Sequence, residues 1–178
     1  LGLIPRRLAG IGELWRDRLS RVDVEGRIAS IHRLYHAELA RLIEAALARH
    51  GVAVLLDLHS MPPLSTQGGS AARIVIGNRF GQSAAAWATA SLMSSCGRFG
   101  LSTAENSPYA GGFIIDRHGA PLRGVHAVQL EIDRSLYLDS ALEQVDSAKL
   151  PHAQAFVRAA VVDLVRAARD SAYPLAAE

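Results

Sequence analysis

The sequence predicts an α/β fold with a mostly parallel central sheet, on three observations. Segments whose apolar residues recur at helical spacing alternate with short apolar runs of β type. The clearest run, residues 52–58, is almost wholly apolar, as a strand buried on both faces of a parallel sheet would be. The 178 residues are 49% hydrophobic and 20% charged, a globular composition with length enough for one cored domain.

Residues 1–22 read as an irregular arm, broken by Pro5, Gly10 and Gly12. A helix is predicted over 24–50, capped by Ser20 or Asp23, with Ile28, Ile31, Leu34, Tyr35, Leu39, Leu42, Ile43 and Leu47 at helical spacing and Gly51 closing it. The strand at 52–58 runs into Asp57-Leu58-His59-Ser60, then Pro62-Pro63 and a loop rich in Ser, Gly and Thr. A second short strand is predicted at 73–77, ending in Asn78-Arg79, and a helix at 82–99. Residues 106–112 read as a turn-rich loop. Residues 113–115 read as a short strand, with Asp116-Arg117-His118-Gly119 turning it into a hairpin. A further strand at 126–132 ends in Glu131-Ile132-Asp133-Arg134, and an amphipathic helix over 148–168 closes the chain. No internal repeat and no second domain stand out, so one domain over 1–178 is expected.

Composition narrows the function classes. The longest apolar runs, such as 52–56, are far too short to cross a bilayer, and no stretch combines the parts of a secretion signal. One cysteine, Cys96, excludes an internal disulfide framework and a four-cysteine zinc site. A reduced, cytoplasmic protein is the expectation. Of 19 basic residues 18 are Arg, but they are scattered and no aromatic residues alternate with them, which argues against nucleic acid. There is no P-loop. Gly10-Ile11-Gly12 completes no dinucleotide fingerprint, and residues 81–85 lack the last glycine of a nucleophile elbow.

Three predicted strands carry polar residues at their carboxyl ends: His59, Asn78-Arg79 and Glu131. In open α/β sheets ligands bind outside those ends, so a His, an Arg and a Glu are expected on one rim. His59 suits a metal ligand, or equally a structural histidine bonded to a backbone carbonyl. Glu131, at the end of a buried strand, suits a general base, or a salt bridge to Arg134 or Arg79. Arg79 suits two-pronged binding of a carboxylate, or plain surface exposure. Asn106, Tyr109 and Gly111-Gly112 form a loop able to close over a ligand, or an ordinary turn. His32 and His36 lie four apart on a helix but lack the glutamate of a protease motif, and read as surface residues. Cys96 reads as a buried small hydrophobe.

Four ordered motifs carry a resemblance: Leu-Leu-Asp-Leu-His-Ser-Met-Pro-Pro (55–63), Ile-Val-Ile-Gly-Asn-Arg-Phe-Gly (74–81), Asn-Ser-Pro-Tyr-Ala-Gly-Gly (106–112) and Gly-Val-His-Ala-Val-Gln-Leu-Glu-Ile-Asp-Arg (124–134). Together they resemble the N-formylglutamate amidohydrolase family over nearly the whole chain. The resemblance implies a three-layer, zinc-carboxypeptidase-like α/β fold and zinc-dependent hydrolysis of N-formyl-L-glutamate to formate and glutamate, a step of histidine degradation. It implies His59 as one of three zinc ligands and Glu131 as the catalytic carboxylate, with Arg79, Asn106, Tyr109 and His126 lining the substrate pocket. Asn78 stands where the family motif has Asp. The family's other two zinc ligands, a His and a Glu, and an Asn-Arg pair for the substrate carboxylate belong to an N-terminal segment outside this sequence. With Leu1 in place of Met, that implies the C-terminal part of a longer chain. A related deacylase of N-acyl amino acids, or a metal-free domain binding a small acid, is the alternative.

Overall fold

A computed structural model describes residues 3–8, 10–65 and 71–172. Part of the Ser-, Gly- and Thr-rich loop expected after Pro63 lies outside them. The chain forms two compact units, Leu1–Leu42 and Ile43–Glu178.

In the first unit the expected irregular arm contains a small antiparallel ladder of β1 (Arg7–Leu8) and β2 (Gly12–Glu13). Trp15 donates from its ring N–H to the Pro5 carbonyl at 2.9 Å, and Arg27 lies over the indole at 4.8 Å. Helix α1 (Arg21–Arg27) starts at Ser20, not Asp23, through a reciprocal box. The Ser20 hydroxyl accepts from the Asp23 N–H, and the Asp23 carboxylate accepts from the Ser20 N–H. A π-helical stretch, Ile28–Arg33, leads into α2 (Leu34–His50). It coincides with the Ser30 hydroxyl donating to the Gly26 carbonyl, a bond that competes with the helical ladder. His36, expected at the surface, is buried, with the rings of His32 and Tyr35 at 4.4 and 5.1 Å.

The second unit is built on four strands in the order β3–β6–β4–β5: β3 (Ala53–Met61), β6 (Val125–Asp133), β4 (Ile74–Gly77) and β5 (Thr103–Glu105). β3 pairs with β6 in parallel, β4 with β5 in parallel, and β6 with β4 antiparallel. The sheet is therefore mixed, a correction to the mostly parallel sheet that apolar runs suggested. Apolar content reports burial of both faces, not strand direction.

Helices α3 (Ala86–Arg98) and α5 (Leu150–Ala172) cover one face. Their apolar residues recur every fourth position, Ala88, Leu92 and Cys96 on α3 and Phe156, Ala160 and Leu164 on α5. They meet Ile74, Ile76, Val128, Leu130 and Ile132 from the sheet in one core. Asp163 of α5 ties the pair by accepting from the Ser95 hydroxyl at 2.6 Å and pairing with Arg98. α3 begins four residues later than predicted because residues 83–85 extend along the start of β6. There the Ala127 N–H donates to the Ser83 carbonyl at 2.8 Å and the Ser83 hydroxyl to the Ala127 carbonyl at 2.8 Å.

Residues 113–118 correct the sequence reading most sharply. Phe113–His118 is helix α4, not a strand and turn. Phe113-Ile114-Ile115 is too short a run for periodicity to tell strand from helix, and only Ile115 is buried, while Phe113 stays exposed. The chain does fold back on itself, but later, where Ala120 bridges to Val125.

Candidate functional site

The register of β3 against β6 sets Asp57 beside Gln129 and His59 beside Glu131. Neighbours in register on paired strands point to the same side, so these four side chains share the sheet face opposite the α3–α5 core. Their contacts bear this out. Asp57 Oδ1 lies 3.1 Å from His59 Nε2, and Gln129 Nε2 donates to Glu131 Oε1 at 2.7 Å. Gln129 Oε1 in turn accepts from the Gly112 N–H at 2.8 Å. Gln129 and Glu131 are buried, whereas the His59 side chain is 45% exposed. Glu131 pairs with neither Arg134, which donates to Ser60, nor Arg79.

Residues 110–112 can lie flat on this face because glycines leave room for them. A Cβ on Gly77 would stand 2.7 Å from the Gly111 nitrogen, and one on Gly111, at φ 109°, would strike Ile115 Cδ1 at 2.1 Å. The loop therefore clamps β4 from above and aims the Gly112 N–H at Gln129.

Arg79 reaches the site by a different route from the one expected. Because β4 runs against β6, its carboxyl end lies opposite Gln129, not beside the carboxyl ends of β3 and β6. The single rim predicted from three strand ends is therefore not formed. Instead the Arg79 N–H donates to the Ala110 carbonyl at 2.9 Å, and its side chain passes Gly111 to donate from Nε to Asp116 Oδ1 at 3.1 Å. This ties Arg79, through the glycine loop, to the face that carries His59 and Glu131.

The other predicted residues divide. Tyr109 is half-buried in the loop just before Ala110. Asn106 turns its amide inward: Oδ1 accepts from the N–H groups of Asn78 and Phe80, and Nδ2 donates to Asn78. His126 lies on the core side of β6, buried, its ring 4.7 Å from Trp87 and its Nδ1 accepting from the Ala85 N–H at 3.1 Å. Burial holds its pKa below the ordinary histidine value of 6.5. The structure does not bring His126 together with Glu131. Gln129 and Asp116 are the members that sequence reasoning left without a role. For Gln129 the available signal was its place two residues before Glu131, on the same face of the strand, whereas Asp116 was hidden in a segment read as a turn.

A groove of about 590 Å³ lies along β3 and α5, lined by Val54, Leu56, Val161, Leu164 and Val165. It faces away from His59, and its lining is apolar apart from His50 and Arg169.

A buried carboxylate, a partly exposed imidazole backed by a second carboxylate, and an arginine beside a glycine-rich loop define an α/β protein with a polar, glycine-covered sheet face. The profile of the N-formylglutamate amidohydrolase family matches residues 1–138, and the chain belongs to that family. It is 30% identical to the N-formylglutamate deformylases of Pseudomonas putida and Pseudomonas aeruginosa, over 78% of this chain and 54% of theirs. The crystal structure of N-formylglutamate amidohydrolase from Ralstonia eutropha superposes with a TM-score of 0.74 at 26% identity, covering 96% of this chain and 60% of that one. A gene product of Agrobacterium tumefaciens shares the fold at a TM-score of 0.64 and 15% identity. The chain thus spans about half the length of the curated relatives it matches.

Proposed function

We propose that this chain is the part of an N-formyl-L-glutamate hydrolase that carries the general base and the substrate's carboxylate anchor. Family membership supports the reaction, and one observation carries the residue assignment: Glu131, buried, stands in register beside His59 on a face overlaid by the glycine loop. In this reading Glu131 takes a proton from the attacking water. As the tetrahedral intermediate collapses, it delivers that proton to the departing amine, so that the C–N bond breaks and formate and glutamate separate. Gln129 holds the carboxylate in place through the 2.7 Å bond. Arg79 receives a glutamate carboxylate on its two terminal nitrogens, since Nε is engaged by Asp116. Tyr109 contributes to the pocket wall. Asn106 acts through the backbone around Arg79, and His126 has no part in the reaction.

As cofactor we propose zinc, with His59 as one ligand. The contact of Nε2 with Asp57 leaves Nδ1 as the donor, an arrangement common among metal-bound histidines. A catalytic zinc needs three protein ligands, and among the described residues no group of three or more His, Cys, Asp or Glu side chains could hold a metal ion. These residues alone do not complete the centre. We propose that the remaining ligands come from sequence outside these 178 residues, as part of a longer cytoplasmic enzyme. No described helix is long and apolar enough to cross a membrane.

The test is formate release from N-formyl-L-glutamate, with zinc per chain measured alongside, on the full-length protein. Turnover together with stoichiometric zinc is the expected result. Turnover only with other N-acyl amino acids would move the protein to a related deacylase, and neither zinc nor turnover would leave a binder of small acids.

A further inference from the structure

Arg79 sits in a turn that residues with side chains do not adopt freely. Arg79 and Phe80 have left-handed backbone at φ 53° and 55°, and Asn106, which bonds the residues on either side of Arg79, has φ 57°. Such conformations cost on the order of 1 kcal/mol or more each and persist where the surroundings over-determine them. Here two side-chain amides do so. Asn106 Oδ1 accepts from the Asn78 N–H at 3.0 Å and the Phe80 N–H at 3.3 Å, bracketing Arg79 on both sides. Asn106 Nδ2 donates to Asn78 Oδ1 at 2.8 Å, which also accepts from the Gly81 N–H at 2.9 Å. Asn78 Nδ2 donates to Thr89 Oγ1 and to Glu105 Oε1, both at 2.8 Å.

The Asn78 amide therefore uses both its protons and both its lone pairs, and its residue is 4% exposed. It links α3, the end of β5 and the turn. Its own backbone leads directly into Arg79, whose side chain then emerges toward Asp116 and the glycine loop. A carboxylate in its place would meet Glu105 acceptor to acceptor across a 2.8 Å contact.

We infer that Asn78 is a positioning residue: its amide, held between Thr89, Glu105 and Asn106, sets the place from which Arg79 presents its guanidinium. The kinetic consequence rests on the reading of Arg79 as the substrate's carboxylate anchor, whereas the geometric consequence does not.

The experiment compares full-length wild type, Asn78→Asp and the double variant Asn78→Asp/Glu105→Gln. It follows kcat and KM for formate release, the NMR signal of the Arg79 Nε–H group, and the melting temperature. Asn78→Asp should raise KM about tenfold, with kcat within about twofold, and shift the Arg79 signal. In the double variant the new amide donates to the new carboxylate, so KM should return to within about threefold of wild type and the signal to its place. Asn78→Asp with unchanged KM and unchanged signal would overturn the inference. So would a double variant that regains melting temperature but neither KM nor signal, since that is the behaviour of a merely structural residue. Should Asn78→Asp fail to fold, Asn106→Gly permits the left-handed backbone and deletes the bracketing amide. It must then raise KM and move the signal, and unchanged values overturn the inference equally. If wild type releases no formate, the functional reading fails while the Arg79 signal still decides the positioning role.

Discussion

The two faces of β6 are about equally withdrawn from water, yet they are held in opposite ways. Toward α3 and α5, Val128, Leu130 and Ile132 pack against Leu92, Phe156 and Leu164 with no polar partner to satisfy. Toward the glycine loop, Gln129, Glu131 and Asp133 are just as buried and each is met by a hydrogen bond or an ion pair. Burial alone thus does not distinguish core from site. The polar face divides further. Asp133 is neutralised by Arg73 at 2.7 Å and bonded by the Ser135 N–H at 2.8 Å, the mark of a carboxylate locked into structure. Glu131 has a neutral amide beside it and, among the described residues, no ion pair. That difference in partners is why the proposed general base is Glu131 and not the carboxylate two residues further on.

The largest effect should come from breaking the polar face at that point. In the full-length protein, Glu131→Gln keeps the side chain's volume but removes the proposed base, and kcat for formate release should fall by about 10²–10⁴-fold, with melting temperature little changed. Unaltered turnover would remove Glu131 from the mechanism. The opposite face should fail in the opposite manner. Leu130→Ala opens a cavity between Ile76, Phe156 and their neighbours and should cost about 2–5 kcal/mol in urea unfolding. Its kcat, measured well below the melting temperature, should stay near wild type. A Leu130→Ala variant as stable as wild type would show that the core is not where the apolar face places it.

A third change tests whether the polar face is held by partners and not by packing. Gln129→Leu conserves bulk but strips the Gly112 N–H of its acceptor and Glu131 of its donor. Leaving those groups unmet should cost about 1–3 kcal/mol and loosen residues 110–112, visible as faster amide exchange at Gly112. Unchanged exchange would mean that the loop is held by its glycine contacts alone.

How much of this was legible beforehand follows from what each residue depends on. His59 and Glu131 were readable because each interrupts an apolar strand near its end, and a parallel register then makes them neighbours. The direction of β4 was not readable, since nothing in Ile-Val-Ile-Gly distinguishes a strand that runs with its neighbour from one that runs against it. The expectation of a single rim therefore failed for Arg79. Helix α4 was missed because three consecutive apolar residues fit either element, and the choice is made by the glycine loop that precedes them. Asn106 was placed in the substrate pocket by resemblance, which carries no information on where its amide turns. Its amide is turned inward by the need to satisfy two N–H groups of a strained turn, a demand that exists only once β4 and β5 are paired. His126 was drawn into the pocket by resemblance, although strand alternation already put it on the face away from Glu131.

His126 also supplies the finest comparison between the faces, through pH. Its ring is enclosed by the core side of β6 and accepts a hydrogen bond from Ala85, so the folded state favours the neutral form, and burial lowers its pKa from 6.5. Since the unfolded chain keeps the ordinary value, it binds a proton before the folded chain does as pH falls. The stabilisation is therefore complete above about 6.5 and is lost progressively as pH falls toward the folded value. His126→Asn retains an acceptor for the Ala85 N–H but does not titrate. Wild type should consequently lose more stability than His126→Asn between pH 7.5 and 5.5, read as the difference in urea midpoints at the two pH values. The two proteins should converge in slope above pH 7. Equal losses across the whole range would mean that protonated histidine is accommodated on this face, and that its burial against Trp87 is looser than that of the aliphatic residues beside it.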